Sequence, residues 1–242
     1  MVNVKRIAIL TDAHGNLSTL EAVMKDIREQ KCGAIYHTGD AIAIGPYPKE
    51  TLELLLKTPD MHLLKGNHEV YYASGIPKPR PAYMDADEEA HQLWVRKSIG
   101  ESLRETVEGL PWVIKETYGG VSMTFLHFAL DGSGKGSFLS GPKPREVAWL
   151  DEHMGKYGTE LVFFGHDHMP CDMTSKARYI SPGPLSLSNA PKANYVIAEC
   201  SAGKFRIENR EVTYDAEPLW RAFMERNVPA RDFILKVFFK HA

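Results

Sequence analysis

Seven side chains with oxygen or imidazole donors stand in short blocks along the chain: Asp12 and His14, Asp40, Asn67, His127, and His166 with His168. Most blocks follow an apolar run and a glycine or tight turn, as in Gly39-Asp40, Gly66-Asn67-His68-Glu69 and Gly165-His166-Asp167-His168. No thiolate stands among these donors. The inventory suits Mn, Fe, Zn, Ni or Co better than an iron–sulfur cluster. Seven donors exceed what one ion needs, whereas two ions sharing a bridging carboxylate use them sensibly. Asp12-Ala13-His14 alone is weak, because a turn carboxylate beside a surface imidazole is the ordinary alternative. The whole set is poorly explained as turn formers and unrelated histidines. Outside it, His37 reads as structural, and His62 and His91 read as surface or core residues. Cys171 reads as a small buried hydrophobe, and Lys135 and Arg145 as solvated cations.

The elements that must position these donors are visible as strand, turn and helix in alternation. Ile7 to Leu10 reads as a first strand, followed by a helix capped by Ser18 with Glu21 at the capping-box position. Leu20, Val23, Met24 and Ile27 recur at helical spacing. Cys32 to Tyr36 and Met61 to Leu64 read as further strands, with a helix over Glu50 to Leu56 between them. Open α/β sheets place ligands at the carboxyl ends of their strands. Three such deliveries occur before residue 70.

The middle of the chain differs. Pro77, Pro79 and Pro81 argue against helix or central strand over Tyr71 to Tyr83. Asp85 to Val107 reads as mostly helical, with Leu93, Trp94 and Leu103 as candidate buried residues. The stretch 71–107 is either a cap over the active face or a peripheral connection. Beyond it, Trp112 to Lys115 and Val121 to Phe128 read as strands around Gly119-Gly120. Asp131 to Gly141 reads as a flexible loop, Pro144 opens a short helix, and Leu161 to Phe164 is a strand. Asn194 to Glu199 and Lys204 to Arg210 read as a hairpin closing a second sheet. Pro218 to Asn227 reads as a terminal helix.

The 242 residues carry a formal net charge of -2, with 43% hydrophobic and 25% charged residues. This composition excludes disorder as a description of the whole and implies no basic nucleic-acid-binding surface. Three cysteines without a CxxC pair argue against a disulfide framework. No signal peptide or membrane-length apolar run is visible, so a soluble, cytoplasmic protein is expected. The expected organisation is one domain over 1–242. A homodimer is compatible with the sequence.

The blocks Asp12-x-His14, Gly39-Asp40, Gly66-Asn67-His68-Glu69, His127 and Gly165-His166-x-His168 resemble, in order, those of the calcineurin-like metallophosphoesterases. Asp12-Ala13-His14-Gly15-Asn16-Leu17 and Gly45-Pro46-Tyr47-Pro48 are similar to a small prokaryotic branch related to diadenosine tetraphosphatases and phosphodiesterases. The resemblance covers most of the chain. It implies an α/β fold, a four-layer α/β/β/α sandwich with two central mixed sheets. One metal would be held by Asp12, His14, Asp40 and His168, and the second by Asp40, Asn67, His127 and His166. Asp40 would bridge two divalent transition-metal ions that activate a water for phosphoryl transfer. His68 would stay outside the metal shell, stabilising transferred oxygens or protonating the leaving group. Where protein phosphatases of this superfamily carry an Asp and an Arg, this chain has Ala43-Ile44-Gly45, so no acid is available there to orient His68 and that activity is disfavoured. Lys192 stands at a position commonly positive in the branch.

The resemblance implies a metal-dependent phosphoesterase acting on a phosphodiester or phosphomonoester of a small molecule or nucleotide. The alternatives are a dinucleoside polyphosphate hydrolase and a non-catalytic binding or scaffold protein on the same fold. Nuclease activity is disfavoured by the lack of a Lys and Arg stripe.

Overall fold

The computed structural model describes residues 4–132, 138–185, 187–188 and 190–240. The chain opens with β1 (Lys5–Leu10), α1 (Leu17–Glu29), β2 (Ala34–His37), α2 (Pro48–Lys57) and β3 (Met61–Leu63). Three helices follow: α3 (Asn67–Ser74), α4 (Ala86–Ile99) and α5 (Arg104–Glu108). Next come β4 (Val113–Tyr118), β5 (Val121–Leu126), α6 (Val147–His153), β6 (Leu161–Phe163), β7 (Cys171–Thr174) and β8 (Arg178–Ser181). The chain finishes with β9 (Lys192–Ser201), β10 (Lys204–Thr213), α7 (Glu217–Glu225) and α8 (Arg231–Val237).

These strands form two mixed sheets, ordered β10-β9-β1-β2-β3 and β4-β5-β6-β8-β7. The layering follows from strand periodicity. On β1, Ala8 and Leu10 face the cluster shared with α1 and α2, while Ile7 and Ile9 face the other sheet. On β6, Leu161 and Phe163 face inward between the sheets, and Val162 joins Leu150 and Met154 outside. Helices therefore cover the outer faces, giving the α/β/β/α sandwich that the resemblance implies. The central parallel strands are apolar on both faces, as sheets buried on both sides require. Aromatic rings hold the layers together: Tyr36 stacks on Phe125 with centroids 3.6 Å apart, and Phe125 packs on Phe163 at 5.3 Å.

Several local expectations are corrected. The β9–β10 hairpin does not close the second sheet; β9 pairs antiparallel with β1 and extends the first. Its apolar residues serve both faces, which a local alternation pattern does not reveal. α1 is capped by Asn16, whose side chain accepts from the Thr19 amide, and not by Ser18. Helix α3 carries Tyr71 to Ser74, since the prolines act only beyond Gly75, at φ 87°. Leu93 is 56% exposed, whereas His91, Gln92, Val95 and Ile99 form the buried face of α4. Cys171 lies on a strand that the pattern does not suggest, and all three cysteines are free. Of the expected loop over Asp131 to Gly141, residues 133–137 lie outside the described residues, Lys135 among them, as does His241. No described helix is long and apolar enough to cross a membrane.

Phe125→Ala removes a ring stacked between Tyr36 and Phe163 at the centre of the inter-sheet core. The expected loss is about 3–5 kcal/mol, because the rigid sheets on either side cannot collapse into the gap. A urea denaturation series on wild type and F125A measures it, and a loss under about 1 kcal/mol would show that the sheets re-pack.

Candidate metal centre

All seven expected donors converge at the carboxyl ends of strands from both sheets. Asp12 and His14 follow β1, Asp40 follows β2, and Asn67 opens α3 after β3. His127 follows β5, and His166 and His168 follow β6. Asp12, His14, Asp40, His166 and His168 all have positive φ, between 45° and 81°. Such backbone is costly for residues with a Cβ and persists only where the surroundings over-determine it. Here it turns five side chains off the strand direction and into one site. Glycine makes room for the approach of neighbouring turns. A Cβ on Gly66 would collide with the Asp40 carboxylate, and one on Gly165 would collide with Thr11 and Asp12.

Three groups of donors lie with their ligand atoms within 4.8 Å of one another: Asp12, His14 and His168; His14, Asp40 and His68; and Asp40, His127 and His166. Asp40 and His14 are each shared. Asn67 completes the third group, its Oδ1 lying 3.3 Å from His127 Nε2 and 3.0 Å from His166 Nδ1. Backbone carbonyls fix the ring orientations. His127 Nδ1 donates to Thr38 O at 3.0 Å, and His14 Nδ1 faces Ile42 O at 3.4 Å. Each ring therefore turns Nε2 into the site, the arrangement typical of metal-binding histidines.

Charge behaves as a cation site demands. Burial pushes the Asp12 carboxyl up to about 7. Burial also opposes charge on Asp40, but His127 and His68 outweigh it and hold its carboxyl well below the usual range. His127 resists charge through burial, yet the Asp40 carboxylate pushes it up to about 9. Burial holds His14 well below its ordinary value, His166 at about 3 and His168 at about 4. The neutral rings of His14, His166 and His168 thus surround Asp12 and the Asp40 carboxylate, which draws positive charge onto His127. His14 Nε2 and His168 Nε2 stand only 2.9 Å apart. This donor set fits two divalent cations.

Two positioning residues lie outside the set that residue types pick out. Glu69, fully buried, accepts from the amides of Asp40 (2.8 Å), Ala41 (2.9 Å) and Gly66 (2.8 Å). It therefore clamps the turn after β2 to the turn after β3. Its place within Gly66-Asn67-His68-Glu69 is its only signal in the sequence. Gln92, 5% exposed, points its amide Nε2 at His68 Nδ1 from 2.9 Å. A neutral amide from α4 thus does what the absent acid after Asp40 would do. Nothing near Gln92 in sequence marks this, because 24 residues separate it from His68.

The remaining candidates fall elsewhere. His37 is buried, its Nδ1 accepting from the Gly39 amide at 3.3 Å, and it is structural as expected. His91 is a core residue that bridges two segments. Its Nε2 accepts from the Ile44 amide at 2.8 Å and its Nδ1 donates to Pro229 O at 3.2 Å. Arg145 is not solvated; it is buried over the Phe164 ring and paired with Asp167, between His166 and His168. Cys171 is a buried hydrophobe of the outer cluster. Lys192 pairs with Glu211 at the surface, 2.8 Å away.

A cavity of about 770 Å³ adjoins the donors. Asp40, Asn67, His68, His166 and His168 border it. Its other walls come from α3, the proline-rich stretch, the start of α4, and the α8 region.

The profile of the calcineurin-like phosphoesterase superfamily domain matches residues 6–203. An uncharacterized protein of Methanocaldococcus jannaschii is 26% identical over 249 aligned positions, covering 92% of this chain and 93% of its own. Among solved structures, a hypothetical protein of Pyrococcus horikoshii superposes with a TM-score of 0.79 at 19% identity, covering 97% of both chains. A metallophosphoesterase of Sphaerobacter thermophilus superposes with a TM-score of 0.70 at 23% identity, covering 96% of this chain and 97% of its own. Both share the fold.

Because Asp40 belongs to two of the donor groups, Asp40→Asn should weaken both metals together. Elemental analysis should find about two ions in wild type and fewer than about one in D40N. Added Mn²⁺ should raise the melting temperature of wild type far more than that of D40N, since a ligand bound only by the native state stabilises it. Two tight ions retained in D40N would remove Asp40 from the bridging position.

Proposed function

This chain belongs to the calcineurin-like phosphoesterase superfamily, and we propose that it hydrolyses a phosphodiester or phosphomonoester of a small molecule or nucleotide. It is a metal-dependent hydrolase. The observation that carries the reading is the convergence of Asp12, His14 and His168 beside Asp40, His127 and His166, at the end of a cavity large enough for a small ester. The Sphaerobacter protein is described as a metallophosphoesterase, which agrees. Residues 1–242 form one domain in this reading, with 71–107 covering one side of the site.

Asp12, His14, Asp40 and His168 would hold one ion, and Asp40, Asn67, His127 and His166 the other. When bound, two divalent ions supply Lewis-acid polarisation of the phosphoryl oxygens and a water of lowered pKa as nucleophile. Glu69 keeps Asp40 and Asn67 in register by holding their turns together. The Thr38 and Ile42 carbonyls keep the His127 and His14 rings facing the site.

His68 acts on the transferred group. Its Nδ1 receives the Gln92 amide, so the ring proton sits on Nε2, 3.9 Å from Asp40 Oδ2 and at the cavity wall. That Nε2–H donates a hydrogen bond to negative charge developing on the transferred oxygens, and this reading gives His68 charge stabilisation rather than leaving-group protonation as its role. The amide differs from a carboxylate partner in this respect: it orients the ring without favouring its protonated form.

Dinucleoside polyphosphate hydrolysis, an alternative that the sequence resemblance leaves open, gains no support from the described cavity lining, which holds no Lys or Arg to take a second phosphate. Mn²⁺-dependent turnover of 4-nitrophenyl phosphate and bis(4-nitrophenyl) phosphate, abolished by chelator, tests the activity. Absence of turnover on both, with two metals bound, would favour a scaffold role.

His68→Ala should lower kcat by about 10²- to 10³-fold with metal content unchanged. Over a series of aryl phosphates the loss should depend little on leaving-group pKa. Gln92→Ala should lower kcat by about tenfold, since the ring keeps its chemistry but loses its orientation. Gln92→Glu should make the rate depend less steeply on leaving-group pKa, because a carboxylate favours a protonated ring whose proton neutralises the departing oxygen. Identical slopes in wild type and Q92E would detach Gln92 from the chemistry.

A further inference from the structure

The cavity beside the donors is bipolar. At its buried end stand Asp40, Asn67, His166 and His168, a donor set that fits divalent cations and so receives an anionic phosphoryl group. Its solvent-facing wall carries Asp85, Asp87 and Glu88, all from the start of α4. Among the described lining residues none is Lys or Arg. Lys78, Arg80 and Arg96 line a neighbouring depression of about 550 Å³, where Arg80 pairs with Glu89 and Arg96 with Glu101. Asp87 and Glu88 have no cationic partner of this kind among the described residues. Glu88 is half-buried and lines the same cavity as His68.

Aromatic side chains contribute to the lining of the same cavity. Tyr71 and Tyr83 line one side, their hydroxyls hydrogen-bonded at 2.5 Å, and Phe233 and Phe238 from the α8 region line the cavity as well. Phe238 also packs on His168, with centroids 5.9 Å apart. Tyr83 and Phe233 are 71% and 59% exposed, so apolar ring area is left uncovered at the opening. Aromatic faces with carboxylates beside them bind organic ammonium groups through the ring quadrupole and direct charge attraction. The same carboxylates repel a second phosphate.

Resting on the phosphoesterase reading, we infer that the substrate is zwitterionic: a phosphoester whose alcohol carries an organic ammonium group, held against the Asp85–Glu88 wall and the aromatic faces. The hydrolysis balances simply. A water oxygen forms a bond to phosphorus, the bond from phosphorus to the ester oxygen breaks, and one proton passes to the departing alcohol. The cation subsite takes no part in bond making. It selects and orients the alcohol, and its effect is therefore on kcat/KM between substrates.

The test uses isosteric pairs in which carbon replaces the charged nitrogen. Choline phosphate is compared with 3,3-dimethylbutyl phosphate, and the 4-nitrophenyl diesters of both are compared likewise, on the Mn²⁺-loaded enzyme. Wild type should prefer the cationic member of the hydrolysed pair by about tenfold. D85N/D87N/E88Q should reduce that preference to about twofold or less, and E88Q alone should reduce it in part. Asn at position 85 retains an oxygen for the helix cap, so the triple variant is expected to fold. Calorimetric titration of choline and of 3,3-dimethylbutan-1-ol into metal-free protein gives a second readout, with choline selectivity expected in wild type and lost in the triple variant. Equal rates for both members, preference for the neutral one, or full cation preference in the triple variant would overturn the inference. Turnover of 4-nitrophenyl phosphate with no cation preference would overturn the inference and leave the phosphoesterase reading standing. Choline binding that depends on the three carboxylates, without turnover of any phosphoester, would support the cation subsite and defeat the phosphoesterase reading.

Discussion

Two carboxylates, those of Asp12 and Asp40, are almost wholly buried at the ends of adjacent parallel strands, and neither has a Lys or Arg beside it among the described residues. Burying an ion without compensation costs several kcal/mol even after relaxation. The surrounding structure lowers that cost by imidazoles, backbone amides and a site that accepts cations. Asp40 Oδ1 takes the His68 amide at 3.0 Å, and Asp12 takes the His166 amide at 3.1 Å. Each carboxylate therefore fastens a loop from elsewhere in the chain. Electrostatic demand at the centre and the closing of the sandwich edge are one interaction seen from two sides.

Strained backbone extends this dependence outward. Ala43 and Ile44 follow the Asp40 turn with φ of 66° and 61°, and a β-branched residue is rarely found there. His91 holds the Ile44 amide and reaches Pro229 O with its other nitrogen. Through this one ring, α4 and the chain leading into α8 are fixed against the turn that carries the metal donor. Gln92, next on the same helix, reaches His68. The buried face of α4 is polar at His91 and Gln92 for that reason, and apolar again at Val95 and Ile99. One helix, α4, thus both orients the His68 ring and lines part of the cavity beside the donors.

The donor types and their order are legible in the sequence because metal chemistry restricts residue identity. Asp12, His14, Asp40, Asn67, His127, His166 and His168 can be named as a set, and the early strands and helices can be placed from apolar spacing alone. Local rules succeed where the reason is local: β1 is a continuous apolar run, and α1 and α2 each have a periodic buried face. The tertiary structure decides what depends on distant partners. Pairing of β9 with β1, rather than with the second sheet, is a long-range choice that local alternation does not encode. Hydrophobicity does not mark the buried face of α4, because His91 and Gln92 lie on it to satisfy polar groups from other segments. Likewise the Arg145–Asp167 pair and the Glu69 clamp are hydrogen-bonding solutions whose partners become neighbours only after folding. Chemistry that needs particular atoms is written in residue types, while the positioning of those atoms depends on contacts the chain acquires only once its two sheets have packed.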